Sequence, residues 1–184
     1  MKLLLENWKK YLKEQKLRVF DFDDTLAKTD ARIVVNKVDG SILDLTPGEY
    51  AVYKPEEGDQ FDYSEFRGEL INPREVKAVT NVFRRIVAAG TKDRKVAILT
   101  ARAPDAYDAI RDYLVEIGVD PDDVEFAMLG DSAPEAKSSW IEDHIKKGYN
   151  DIYFVDDSGK NVAAVNNLKK SYPDVKIRAQ KVEY

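Results

Sequence analysis

Cysteine is absent from this 184-residue chain. That excludes disulfides, zinc–thiolate centres and thiol nucleophiles, and nothing points to an oxidising compartment. No apolar run approaches the roughly 18 residues of a membrane span. The opening Met1-Lys2-Leu3-Leu4-Leu5-Glu6 has too short an apolar run for a signal peptide, so the expectation is a cytoplasmic protein without a membrane partner. Excess positive charge is missing too. The net charge of −5 gives no broad electrostatic footprint for nucleic acid, so extended nucleic-acid binding is not expected. An anionic substrate would have to be drawn in locally, by a metal and a few lysines and arginines, which still admits a polynucleotide end. Internal repeats and low-complexity tracts are also lacking.

What is present suits a globular domain. The hydrophobic fraction of 43% is enough for a core, and the charged fraction of 34% exceeds the roughly 25% of ordinary globular chains, giving a well-solvated surface. The length predicts one domain over residues 1–184, with a small insertion over 27–72. The most informative stretch is Val19-Phe20-Asp21-Phe22-Asp23-Asp24-Thr25-Leu26, where an apolar strand delivers two aspartates to a turn. On a strand, residues i and i+2 share a face, so Asp21 and Asp23 start on one side. Two close carboxylates repel, and burial makes the repulsion worse. A hard divalent cation relieves it, and Mg²⁺ favours one or two carboxylates plus water and phosphate. The structural alternative is a polar turn after an edge strand.

Two further apolar strands end in chemistry-bearing residues. Lys95-Val96-Ala97-Ile98-Leu99 closes on Thr100, and Asp151-Ile152-Tyr153-Phe154-Val155 closes on Asp156-Asp157. Lys137 lies near the start of a helical stretch over 134–147. In parallel α/β sheets, ligands bind beyond the carboxyl ends of the strands.

These segments together resemble the haloacid dehalogenase (HAD) superfamily of phosphohydrolases, over about residues 16–178. The Asp-x-Asp-x-Thr motif is matched by Asp21, Asp23 and Thr25, the strand-closing hydroxyl by Thr100, the lysine by Lys137, and the acidic pair by Asp156 and Asp157. The resemblance implies a Rossmann-like α/β fold: a mostly parallel five-stranded sheet with helices on both faces. The first strand would be central, flanked by the strands ending at Thr100 and Asp156. It also implies a β-hairpin flap or small cap after the first strand. It further implies Asp21 as nucleophile, Asp23 as general acid then base, and Thr100 and Lys137 as catalytic and substrate-binding groups. Asp21, Asp23 (through its backbone carbonyl), Asp156 and Asp157 would form an Mg²⁺ site. Alignment of the acidic pair leaves Asp156 and Asp157 both open as the direct ligand. Asn161 stands where many relatives carry a further acid.

Along the chain, residues 3–14 read as a short amphipathic helix. Asp39-Gly40 between two β-rich runs predicts a hairpin within the insertion. The aromatics Phe61, Tyr63 and Phe66 could stack on a nucleobase or form the insertion's own small core. Asn72-Pro73 reads as a helix N-cap and first turn. Further strands are expected over 95–100, 124–129, 151–155 and 175–178, with helices between them. Arg102 suits either a substrate phosphate or base, or a salt bridge at a helix start. Thr25 is expected to shape the turn, and His144 to lie on the surface. The favoured reading is an Mg²⁺-dependent phosphatase of a small phosphorylated substrate, a nucleotide or polynucleotide end. The alternative is a silent HAD-like module that binds a phosphorylated ligand or a protein.

Overall fold

The structure, a computed structural model, describes residues 14–90 and 92–183. Apart from its last residue, the helix expected over 3–14 lies outside the described residues. The chain enters through strand β1 (Lys16–Phe20) and passes into an insertion. The insertion holds β2 (Ala27–Lys28), β3 (Ile33–Asn36), β4 (Ile42–Leu45), helix α1 (Pro47–Val52) and β5 (Gln60–Asp62), and β6 (Arg74–Glu75) follows it. Then α2 (Lys77–Ala88), β7 (Arg94–Thr100), α3 (Tyr107–Glu116) and β8 (Glu125–Met128) alternate. The chain finishes with α4 (Pro134–Lys146), β9 (Asp151–Asp156), α5 (Gly159–Ser171) and β10 (Lys176–Lys181).

Five strands form one sheet in the order β10-β9-β1-β7-β8, and every pairing is parallel. β1 is central, between the strands that end at Thr100 and Asp156, as the resemblance implied. Its near-continuous apolar sequence follows from burial on both faces. Phe20, Val96 and Ile98 pack with Phe83 and Val87 of α2 and with Ile110 and Leu114 of α3. Leu17, Val19, Leu99, Ile152 and Phe154 pack the other way, with Ile141 and Ile145 of α4 and Val165 of α5. Each such fully buried side chain stabilises the fold by about 1.5–3 kcal/mol.

The insertion builds its own sheet, ordered β4-β3-β5. The Asp-Gly turn is where the sequence placed it. Gly40 has φ +83, and Asp39 accepts from the Ser41 amide and hydroxyl. Beside this sheet the rings of Tyr50, Tyr53, Phe61 and Tyr63 pack on one another at centroid distances of 5.7–6.2 Å. The Tyr50 and Tyr63 hydroxyls are 2.6 Å apart, and Tyr53 donates to Asp59. These four rings form a half-exposed cluster within the insertion, and Phe66 lies apart from it, against Arg102.

Two local expectations are corrected. Asn72-Pro73 does not start a helix. Residues 74–75 pair instead with 27–28, the Val76 amide donates to the Leu26 carbonyl, and α2 begins only at Lys77. This short ribbon closes the neck of the insertion. Asn72 takes φ +46 there, a left-handed conformation that asparagine tolerates, and its amide reaches Asp30. His144 is not on the surface. It is 3% exposed, its Nδ1 lies 2.9 Å from the Trp140 carbonyl oxygen, and its ring lies 3.9 Å from that of Trp140. The cause is helical spacing: Lys137, Ile141, His144 and Ile145 form the buried stripe of α4.

Candidate active site

The carboxyl ends of β1, β7 and β9 adjoin, so the residues just beyond them meet. Asp21 follows β1 and its amide donates to the Val155 carbonyl at 2.9 Å. Thr100 ends β7 and Asp156 ends β9. Lys137 comes in from the first turn of α4. Asp21, Asp156, Thr100 and Lys137 are all at least nine-tenths buried.

Lys137 Nζ donates to Asp21 Oδ1 at 2.6 Å and to Asp156 Oδ2 at 2.8 Å. Thr25 donates its hydroxyl to Asp21 Oδ2 at 3.1 Å and accepts from the Asp157 amide at 3.1 Å. Thr25 thus joins the β1 loop to the β9 loop as well as shaping the turn. Asp156 is heavily engaged. Its Oδ1 accepts from the Ser158 amide at 2.8 Å, and both its oxygens accept from Asn161 Nδ2 at 3.0 Å. Among the described residues no side chain donates to the Asp157 carboxylate. That difference separates two acids that are equivalent in sequence.

The electrostatics are lopsided. Burial drives the Asp21 carboxyl well above its ordinary range; Lys137 pulls it back, and Asp156, Asp157 and Asp23 push it up further. Burial would lower the Lys137 ammonium, but Asp21 and Asp156 overcome that and hold it above its usual value. Asp157 is pushed up to about 7, first by burial and then by Asp156 and Asp24. Oxygens of Asp21, Asp156 and Asp157 lie within 4.8 Å of one another. Three carboxylates facing one ammonium are an oxygen-only, under-neutralised donor set, which is the kind a hard divalent cation prefers.

The Asp23 side chain is not among those three. Both its oxygens face Arg102: Nε donates to Oδ2 at 2.9 Å and an Nη to Oδ1 at 2.7 Å. Arg102 itself is 2% exposed. Its guanidinium sits 5.0 Å from the Phe66 ring and 5.8 Å from the Phe22 ring, and it donates to the Phe66 carbonyl at 3.1 Å. Of the two expectations for Arg102, the structure presents an ion pair, with Asp23 as the partner. The Thr100 hydroxyl accepts from the Arg102 amide at 3.1 Å, and among the described residues no acceptor takes its proton.

Sequence reasoning missed the Arg102–Asp23–Phe66 contact, the double role of Thr25 and the grip of Asn161 on Asp156. The last had a signal. Ser158 caps α5 by accepting from the Asn161 amide, which turns Asn161 back toward the acidic pair.

The five-stranded parallel sheet with helices on both faces is an α/β fold that matches solved HAD domains. Among solved structures the chain is similar to the HAD domain of the effector protein Lem4 from Legionella pneumophila. The TM-score is 0.54 at 13% identity, covering 93% of this chain and 88% of that one. An inactive mutant of that domain gives 0.55 at 13% identity, over 92% of this chain and 86% of the other. At such identity the likeness is one of fold. No family model matches the sequence, and no curated protein matches it.

Proposed function

We propose that this chain is an Mg²⁺-dependent phosphomonoester hydrolase that works through an aspartyl-phosphate on Asp21. One observation carries the reading: a buried Asp21 carboxylate held by Lys137 and Thr25, with Asp156 and Asp157 oxygens close by.

The donor set fits a magnesium ion. Asp21 and Asp157 would hold it, with the Asp23 backbone carbonyl as the resemblance implies. Asp156, engaged by Lys137, Asn161 and the Ser158 amide, would fix the lysine. When bound, Mg²⁺ supplies charge neutralisation for the phosphoryl oxygens and keeps Asp21 ionised.

The chain's own residues do the rest. Asp21 attacks phosphorus, and the bond to the leaving oxygen breaks. Lys137 and the Thr100 hydroxyl stabilise charge on the phosphoryl oxygens. Asp23 gives a proton to the leaving oxygen and then takes one from water. That water attacks phosphorus, the Asp21–phosphorus bond breaks, and inorganic phosphate departs with Asp21 restored.

The substrate class we assign is a nucleotide or a polynucleotide end. Support comes from the Thr100-x-Arg102 and Asp156-Asp157 forms, which resemble flap-bearing nucleotidases and 3′-phosphatases. The insertion would act as their flap or small cap. Hydrolysis of an aryl phosphate with and without Mg²⁺, for wild type and Asp21→Asn, tests the reaction. Turnover is expected only for the wild type with Mg²⁺. Activity surviving Asp21→Asn would remove the covalent mechanism. A panel of nucleotides, sugar phosphates and 3′- or 5′-phosphorylated oligonucleotides tests the substrate class, and a preference for sugar phosphates would contradict it.

A further inference from the structure

Arg102 spans two parts of the molecule that the proposed reaction treats separately. Its backbone belongs to the loop after β7, where its amide holds the Thr100 hydroxyl. Its side chain crosses to the loop after β1 and takes both oxygens of Asp23. The outer side of the guanidinium meets the insertion, at the ring and the carbonyl of Phe66. Thr29 lies at the edge of the same cluster, 3.5 Å from both Asp23 Oδ1 and an Arg102 Nη.

The guanidinium side chain is 1% exposed while Asp23 retains 18%. The ion pair is therefore shielded on the arginine side and open on the aspartate side. A two-pronged guanidinium–carboxylate contact fixes the plane of the carboxylate as well as its position. A carboxylate so held keeps lone pairs beyond the two that the arginine uses, so it can still accept from a water on its open side. Among the described residues of 30–70, Phe66 is the one that meets this guanidinium, so the grip depends on where that part of the insertion sits.

We propose that Arg102 is a positioning residue: it presents Asp23 for the water-activating step, and Phe66 makes that presentation depend on the seating of the insertion. This rests on the reading of Asp21 as nucleophile and Asp23 as acid and base. Arg102 touches no reacting atom and acts through Asp23.

The test separates the two chemical steps. With p-nitrophenyl phosphate the leaving group departs without help from a proton, so formation of the aspartyl-phosphate should be indifferent to Asp23. Its hydrolysis should not be. Arg102→Lys keeps the charge and loses the fork; Phe66→Ala keeps the carbonyl and loses the ring. Rapid-quench measurements on both variants with Mg²⁺, alongside their melting temperatures, are expected to show phosphoenzyme forming within about twofold of the wild-type rate. Its breakdown should slow at least tenfold for Arg102→Lys and several-fold for Phe66→Ala, giving a burst of p-nitrophenol that the wild type lacks. Folded variants whose two steps fall equally, or whose breakdown is unchanged, would overturn the inference. If Arg102→Lys does not fold, Phe66→Ala alone decides it by the same criterion. Failure of the underlying reading looks different: the wild type itself would form no phosphoenzyme.

Discussion

Lys137 is the cation that faces two buried carboxylates, and its removal strands both. Losing one partner of a buried ion pair costs roughly 3–5 kcal/mol, so Lys137→Ala should lose about that much stability when Mg²⁺ is chelated. Magnesium should return part of it, because the cation relieves the same repulsion. Urea unfolding with Mg²⁺ and with chelator checks this; a variant that gains no more from Mg²⁺ than the wild type does would contradict it. Asp156 and Asp157 should also separate. Asp157→Asn is expected to weaken Mg²⁺ binding at least tenfold in calorimetry, and Asp156→Asn less, because Asp156 is turned to Lys137 and Asn161. Thr100→Ala removes the hydroxyl that the proposed reaction directs at a charged phosphoryl oxygen. A bond of that kind contributes about 1.5–3 kcal/mol, so kcat should fall roughly 10–100-fold. Which residues meet was legible from motif order and strand ends. Which of the two adjacent acids stays free was not, because it depends on donors from α4 and α5 that neighbouring residues in the sequence do not disclose.

At the scale of elements, the sheet was the readable part and its connections were less so. Strands buried on both faces announce themselves as apolar runs, whereas the buried stripe of α4 was not followed to His144, which was expected on the surface and is buried. The start of α2 was misread because a capping pattern is local, whereas residues 74–75 are drawn into a ribbon with a partner some 47 positions earlier in the chain. Asn72 at φ +46 should therefore tolerate glycine, while Asn72→Ala should cost about 1–2 kcal/mol from the left-handed conformation alone. Chemical denaturation of the three chains checks the order. A second element-level device lies across β1 and β9. Arg18 donates to both carboxylate oxygens of the buried Asp151, with Lys176 and Arg178 within 3.7 Å. Burial pushes the Asp151 carboxyl up, but the Arg18 hydrogen bonds and the three cations outweigh it, and it ends below its ordinary value. A depressed carboxyl stabilises the fold above its unfolded value of about 3.9, and that contribution disappears as pH falls through the folded value. Stability should thus drop on acidification below about pH 4, and Asp151→Asn should flatten that part of the profile. An unchanged acid limb in Asp151→Asn would contradict the assignment.

For the molecule as a whole, an acidic chain with net charge −5 buries one lysine, Lys137, between two carboxylates, and the proposed reaction leaves further neutralisation to a metal. No described helix is long and apolar enough to cross a membrane. The likeness to the Lem4 HAD domain is in the fold, at 13% identity. The central claim is that Asp21 carries the phosphoryl group. The most direct measurement is mass spectrometry of peptides from acid-quenched enzyme caught in turnover of an aryl phosphate with Mg²⁺. The account predicts one added phosphoryl group, on the peptide containing Asp21, in the wild type and none in Asp21→Asn. A phosphoryl group on another residue, or sustained turnover by Asp21→Asn, would contradict it.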